Sequence, residues 1–250
     1  MSSFRPRSTA SAAPRHGLAR VLSKLGVCSR SQAEKAVREG RVSVDGRVVL
    51  DPERPADPAK QRILLDGEVV GVAQRVYVAL NKPRGIVVSA ADERGRDTVY
   101  DLLAEAGLPW LGPVGRLDKA SEGLLLLSND SVWAAHLTEP RHHVDKTYHV
   151  QIDAIPDQTT LARLIQSTVD EGERLAAKQV TLLRSGEKNA WLEIVLDEGR
   201  NRHIRRLLAA HDIGVLRLIR VAIGDFKLGD LAKGQWRHLR PDEVARLSRK

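Results

Sequence analysis

The sequence predicts an α+β protein in two parts: a small helix–helix–hairpin module, then a larger domain on a central, mainly antiparallel sheet with flanking helices. Three observations predict it. Apolar residues recur at helical spacing twice before residue 40, and an Asp-Gly pair then separates two short β-branched runs. Beyond residue 76, strands and helices follow one another with many hairpin-length gaps, which favours α+β over a doubly wound fold.

Residues 1–16, rich in Ser, Ala, Pro and Arg without an apolar core, are expected to be a disordered basic tail and not a signal peptide. Leu18, Val21, Leu22 and Leu25 then mark a first helix that Gly26 ends. Ser31 and Glu34 fit a capping box for a second helix, which turns Ala33, Ala36 and Val37 inward and stops at Gly40. Val42–Val44 and Val48-Val49 flank Asp45-Gly46, a two-residue hairpin signal. Asp51 to Lys60 reads as a loop, and Ile63 to Val70 as one returning strand. The module thus spans 17–75, ending in a linker at 71–75, and the larger domain spans 76–250. Its expected strands are Val76–Leu80, Leu124–Leu127, Thr147–Ile152, Gln179–Leu183, Ala190–Leu196 and Leu216–Ala222. Its expected helices lie near Val99–Ala106, Ser131–Leu137, Thr159–Ser167 and Arg202–His211.

Lys and Arg outnumber Asp and Glu by 40 to 32, and the pI is about 9.9. Such a balance suits a polyanionic partner, because each cation set against a phosphate releases counterions. Arg30, Lys35, Arg38 and Arg41 crowd the second helix and its exit, as a solvated face or as a nucleic-acid contact; their concentration in one short module favours contact. The single cysteine, Cys28, rules out a disulfide within the chain and any CxxC metal site, and fits a reducing cytoplasm. Apolar runs such as Leu124–Leu127 are far too short for a membrane helix. There is no GxGxxG or GxxxxGKS loop for a nucleotide. The adjacent His142 and His143 do not face one another and lack a nearby third ligand, so no metal site is expected.

The most informative segment is Gly115-Arg-Leu-Asp-Lys-Ala-Ser-Glu-Gly-Leu-Leu-Leu-Leu-Ser-Asn-Asp130. It is a glycine-flanked loop feeding an apolar strand, and Arg116 and Asp118, two apart, project to the same side of an extended chain. Residue chemistry alone leaves two readings: an Arg–Asp pair that stitches the loop, or a carboxylate kept ionised and aimed by cations. On the helix from Arg202, the positions Arg202, Arg205 and Arg206 share one face, while Ile204, Leu207 and Leu208 share another.

Two resemblances decide between these readings. Leu18 to Glu34, followed by Gly40-Arg-Val-Ser-Val-Asp-Gly46, resembles the S4-type RNA-binding domain. Gly115 to Asp118 and Glu122 to Asp130 resemble the central motif of pseudouridine synthases acting on ribosomal RNA. The match continues through Lys82-Pro83, Lys146-Thr-Tyr148-His-Val150, Glu198 to Arg206, Leu216 to Arg220 and Gly234 to Arg237. The resemblance implies an S4-type module ahead of a pseudouridine synthase domain that turns a uridine into pseudouridine, with Asp118 as the catalytic carboxylate. It implies that Arg116 enters the space the uridine vacates, that Tyr148 packs on the flipped base, that Ile204 lies beneath it, and that Arg205 pairs with Asp118. Arg30, Lys35, Arg38, Arg41, Arg202 and Arg206 are the expected RNA-gripping cations. A redox-neutral rearrangement calls for no cofactor, metal or ATP. The expected partner is folded ribosomal RNA before subunit assembly, met by a monomer in the cytoplasm. The rival class, a non-catalytic RNA-binding or assembly factor, would have lost the Asp, the Tyr or the motif Arg, and all are present. Arg141 to Tyr148 resembles the small-subunit enzymes and Glu198 to Trp236 the large-subunit ones, with the balance towards the large subunit.

Overall fold

A computed structural model of the chain describes residues 16–71, 74–90 and 94–249. Residues 1–15 of the expected tail lie outside the described residues, and its last residue, His16, is not tail but pairs with Ala56 in a strand. The chain divides into two compact units between Gln74 and Arg75.

The first unit runs β1 (His16–Gly17), α1 (Leu18–Lys24), α2 (Arg30–Arg38), β2 (Val42–Val44), β3 (Arg47–Val48), β4 (Pro55–Ala56), β5 (Ile63–Leu65) and β6 (Glu68–Val69). Leu18, Leu22, Ala33, Val37 and Val42 are wholly buried in its core. Ser29, not Ser31, caps α2. Its Oγ accepts from the Gln32 N–H at 3.2 Å and its own N–H donates to Gln32 Oε1 at 3.0 Å. The same S-x-x-E/Q pattern fits both serines, and the extended backbone at Ser29 starts the helix two residues earlier. That frees Glu34 to pair with Arg30 and Arg38. The expected single strand over 63–70 is instead a second hairpin. Asp66-Gly67 turns it with φ of 53° and 85°, as Asp45-Gly46 does at 50° and 79°, so the order is β3-β2-β5-β6.

The second unit carries β7 (Tyr77–Lys82), β8 (Gly112–Val114), β9 (Glu122–Ser128), α3 (Ser131–Thr138), β10 (Lys146–Ile152), α4 (Gln158–Ile165), β11 (Thr168–Asp170), β12 (Glu173–Leu175), β13 (Gln179–Ser185), β14 (Ala190–Leu196), α5 (His203–Ala209), β15 (Val215–Ile223), β16 (Phe226–Lys227), β17 (Trp236–His238) and α6 (Pro241–Leu247). The spine of its sheet is ordered β13-β14-β10-β15-β9-β7-β17. Every pairing in it is antiparallel except β15 with β9. The helix expected near Val99–Ala106 is a single 3₁₀ turn, Asp101–Leu103. Asp101 bonds back to the Thr98 N–H at 2.6 Å, and Gly107, at φ 61°, and Pro109 prevent extension. Helix α6 was not legible as an element, although Pro241 stands at its first turn.

All seven residues of β9 are buried, because the strand lies mid-sheet with packed cores on both faces: Leu124 and Leu126 in one, Leu125 and Leu127 in the other. Its N-terminal end emerges from the Asp118 loop. There Gly123, at φ 101°, lies opposite Arg220 across the parallel junction. A β-carbon at Gly123 would fall 2.3 Å from the Arg220 carbonyl oxygen. Only glycine lets the two strands close, and the loop before β9 is positioned by that closure. Gly123→Ala is therefore expected to cost roughly 2–4 kcal/mol. Denaturant unfolding of the variant checks this, and an unchanged midpoint would contradict the close approach.

Candidate active site

Along residues 116–118 the chain alternates. Leu117 turns into the core, while Arg116 and Asp118 face a cleft that Tyr148 also lines. The cleft has two lobes that share these three side chains together with Arg200 and Arg202. One lobe has an apolar floor of Leu117, Leu196, Ile204 and Leu218. The other is lined by Lys146 and Arg220 together with Leu137 and Thr138. Tyr148 is half-buried on β10, where its strand partners are Ile194 and Arg220.

The loop that carries Asp118 is moulded through its main-chain carbonyls. Lys82, wholly buried, donates from Nζ to the carbonyls of Asp118 at 3.2 Å, Ser121 at 2.8 Å and Pro83 at 3.0 Å. Arg205 donates to Ala120 at 3.2 Å. Arg220, 4% exposed, donates to Leu124 at 2.7 Å and to Arg116 at 3.4 Å. Cation-to-carbonyl bonds of this kind are stronger than neutral ones, and leaving such a buried cation unpaired would be costly. The adjoining Glu122 is also buried. Burial alone would raise its pKa, but hydrogen bonds from Arg217 (2.9 Å) and Lys233 (2.7 Å) outweigh that and hold it below the usual carboxylate range.

The Asp118 carboxylate itself is left open. Its side chain is 42% exposed, and Arg202 Nη1 stands 3.9 Å away, an ion-pair separation too long for a hydrogen bond. Arg205, the expected partner, makes no direct ion pair with Asp118 and feels it only through longer-range charge, because its guanidinium turns to the Ala120 and Val215 carbonyls and its Nε is buried without a partner. The physical reason is the backbone at Arg202. It caps α5 in a left-handed conformation at φ 50°, which swings this arginine off the helical face and over Asp118. Arg206, expected to grip RNA, is instead mostly buried and held by Asp170, Glu171 and Glu173 of the β11–β12 hairpin. The three arginines that a helical wheel puts on one face thus splay three ways. Ile204 lines the cleft with Leu196 and Leu218.

Arg30, Lys35, Arg38 and Arg41 are exposed on the first unit, each beside a carboxylate: Glu34 and Glu53 for Arg30, Glu39 for Lys35, Glu34 for Arg38, Glu39 and Asp66 for Arg41. Exposed pairs of this sort contribute little to stability. His142 lies against His136 with ring centroids 4.6 Å apart and planes tilted by 50°, and His143 reaches Asp197 at 3.1 Å.

Sequence reasoning passed over the roles of Lys82 and Arg220, yet a signal was there. Val78, Leu80 and Lys82 alternate on one face of β7, and Leu218, Arg220 and Ala222 on one face of β15, so both cations point inward with apolar neighbours.

A family model described as RNA pseudouridylate synthase matches residues 76–210, and an S4 domain model matches residues 17–61. The chain is 37% identical over 230 residues to an RNA pseudouridine synthase of Aquifex aeolicus, covering 91% of this chain and 92% of that relative. It is 36% identical over 233 residues to the ribosomal large subunit pseudouridine synthase B of Bacillus subtilis, covering 92% and 94%. A crystal structure of a pseudouridylate synthase superposes with a TM-score of 0.65 at 30% identity, covering 93% of this chain and 99% of that one.

Burial pushes the Lys82 ammonium down to about 8, although Asp118 and Glu122 oppose the shift. Between there and the roughly 10.4 of a free lysine, the unfolded chain holds a proton that the folded chain has lost. This group's contribution to stability therefore rises with pH across that window, while its hydrogen bonds to the loop weaken. The reaction rate at this site is expected to fall along an alkaline limb centred near pH 8 without a matching loss of stability. Rate and thermal melts measured side by side against pH check this; a rate flat through the window would contradict it.

Proposed function

Because the chain belongs to the RNA pseudouridylate synthase family and carries an S4 domain in front, we propose that it isomerises a specific uridine of ribosomal RNA to pseudouridine, with Asp118 as the catalytic carboxylate. The observation that carries the reading is the open carboxylate of Asp118 in one cleft with Tyr148 and Ile204, its loop fixed by buried cations while the acid group stays free. The reaction breaks N1–C1′, turns the uracil, and joins C5 to C1′, with the C5 proton leaving and a proton gained at N1. Electron deficiency develops on the ribose as the base departs, and an anion at the cleft mouth opposes it. The uracil must leave its stack to reach that anion, at a few kcal/mol, and a tyrosine ring over an apolar floor returns part of this. Arg116 stands beside Asp118 to fill the space left in the RNA.

The four exposed cations of the S4 domain supply phosphate contacts, and Arg202 adds one at the cleft. Large-subunit RNA is the preferred substrate, supported by the 36% identity to the Bacillus subtilis large-subunit enzyme. RNA not yet buried in an assembled subunit is the accessible form, met by a monomer in the cytoplasm. Among the described residues, no helix is long and apolar enough to cross a membrane.

The test maps pseudouridines in both ribosomal RNAs of a strain lacking this gene. One site is expected to vanish and to return with the wild-type gene. Asp118→Asn should bind RNA within about twofold of the wild type yet lower the rate by at least about a thousandfold. An Asn variant that restores the site overturns the assignment of Asp118.

A further inference from the structure

The lobe of the cleft beyond the apolar floor has its own chemistry. Lys146 begins β10 two residues before Tyr148, on the same face of the strand, and Arg220 is the partner of Tyr148 on β15. Both line this lobe beside Asp118. The Arg220 side chain is 4% exposed, and its Nη2 is buried without a hydrogen-bond partner although Nε and Nη1 are both engaged. Lys146 is half-buried, and among the described residues its ammonium makes neither a hydrogen bond nor an ion pair. The nearby carboxylates are already taken, Asp145 by Lys178 at 2.8 Å and Asp197 by His143 at 3.1 Å. Burial and the charge of Arg220 push the Lys146 ammonium down, outweighing the opposing charges of Asp145 and Asp197. Two half-satisfied cations side by side repel one another, and an arriving anion would relieve both the desolvation and the repulsion.

A nucleotide has the matching layout. Its base is flat and largely apolar on its faces, its phosphate is anionic, and the glycosidic carbon lies between. A base over Leu117, Ile204 and Leu218 would bring C1′ near Asp118, which lines both lobes, and turn the phosphate side towards Lys146. We propose that Lys146 and Arg220 form a phosphodiester subsite that seats a backbone phosphate of the RNA beside the everted uridine and so sets the position of C1′ at Asp118. The proposal rests on the functional reading above, but its consequences for binding do not depend on turnover.

The test is a filter-binding titration of ribosomal RNA transcripts against salt, with steady-state kinetics alongside. Lys146→Gln is expected to flatten the salt dependence by about one unit of log K per log salt and to raise KM by about tenfold. Lys146→Arg should keep the wild-type slope, which separates lost phosphate contact from damaged folding. Inorganic phosphate should compete with RNA for the wild type and less for Lys146→Gln. An unchanged slope in Lys146→Gln overturns the subsite, and so does a collapse of kcat with slope and KM intact. Competition by inorganic phosphate without a change in slope means that the site takes free anions only, which overturns the strand assignment. If the wild type makes no product yet the slope still changes, the functional reading fails and the subsite stands.

Discussion

The structure depends on a loop whose shape is held by cations bonded to its backbone. Between residues 116 and 124, five carbonyls accept from three buried or half-buried side chains: Lys82 to Asp118 and Ser121, Arg205 to Ala120, Arg220 to Arg116 and Leu124. A positive charge taken out of water is tolerated only where its donors are satisfied, so each cation fixes the carbonyls as much as they fix it. Lys82 comes from β7, before the loop in sequence, and the two arginines from α5 and β15, well beyond it. The loop therefore takes this shape only once the second unit has folded around it.

The arrangement separates two demands that one carboxylate could not meet together. Had the arginines bonded the Asp118 side chain, the group would be positioned but occupied. Bonding the main chain positions it and leaves its oxygens open, with the Arg202 guanidinium 3.9 Å away. The close packing of β15 on β9 completes the frame, since Gly123 brings the Arg220 backbone against the loop's exit. Arg206, clamped to the β11–β12 hairpin, fixes α5 and with it Ile204 and Arg205.

Much of this was legible in the sequence. The helical spacing of Leu18 to Leu25, the Asp45-Gly46 turn and the apolar run of β9 follow from periodicity and turn chemistry, and each element stands where it was expected. Motif resemblance brought Asp118, Arg116, Tyr148 and Ile204 to one cleft. What was not legible depended on three-dimensional competition. Two serines could cap α2 and only the buried one does; one left-handed residue redirected Arg202 and gave Arg205 another partner. A helical wheel assumes regular backbone up to the first residue, and at Arg202 that assumption fails. Asp66-Gly67 was overlooked although it repeats the chemistry of the first hairpin.

The central claim is that buried cations, acting through main-chain carbonyls, hold the loop of Asp118. Hydrogen exchange in Lys82→Met measures it most directly, because the Ser121 amide, bonded to the Asp118 carbonyl at 3.0 Å, reports the turn itself. The account predicts that amides from 116 to 124 exchange at least about tenfold faster in the variant, while those of β10 and β14 keep their protection. Unchanged exchange at Ser121 in a folded Lys82→Met protein would contradict it.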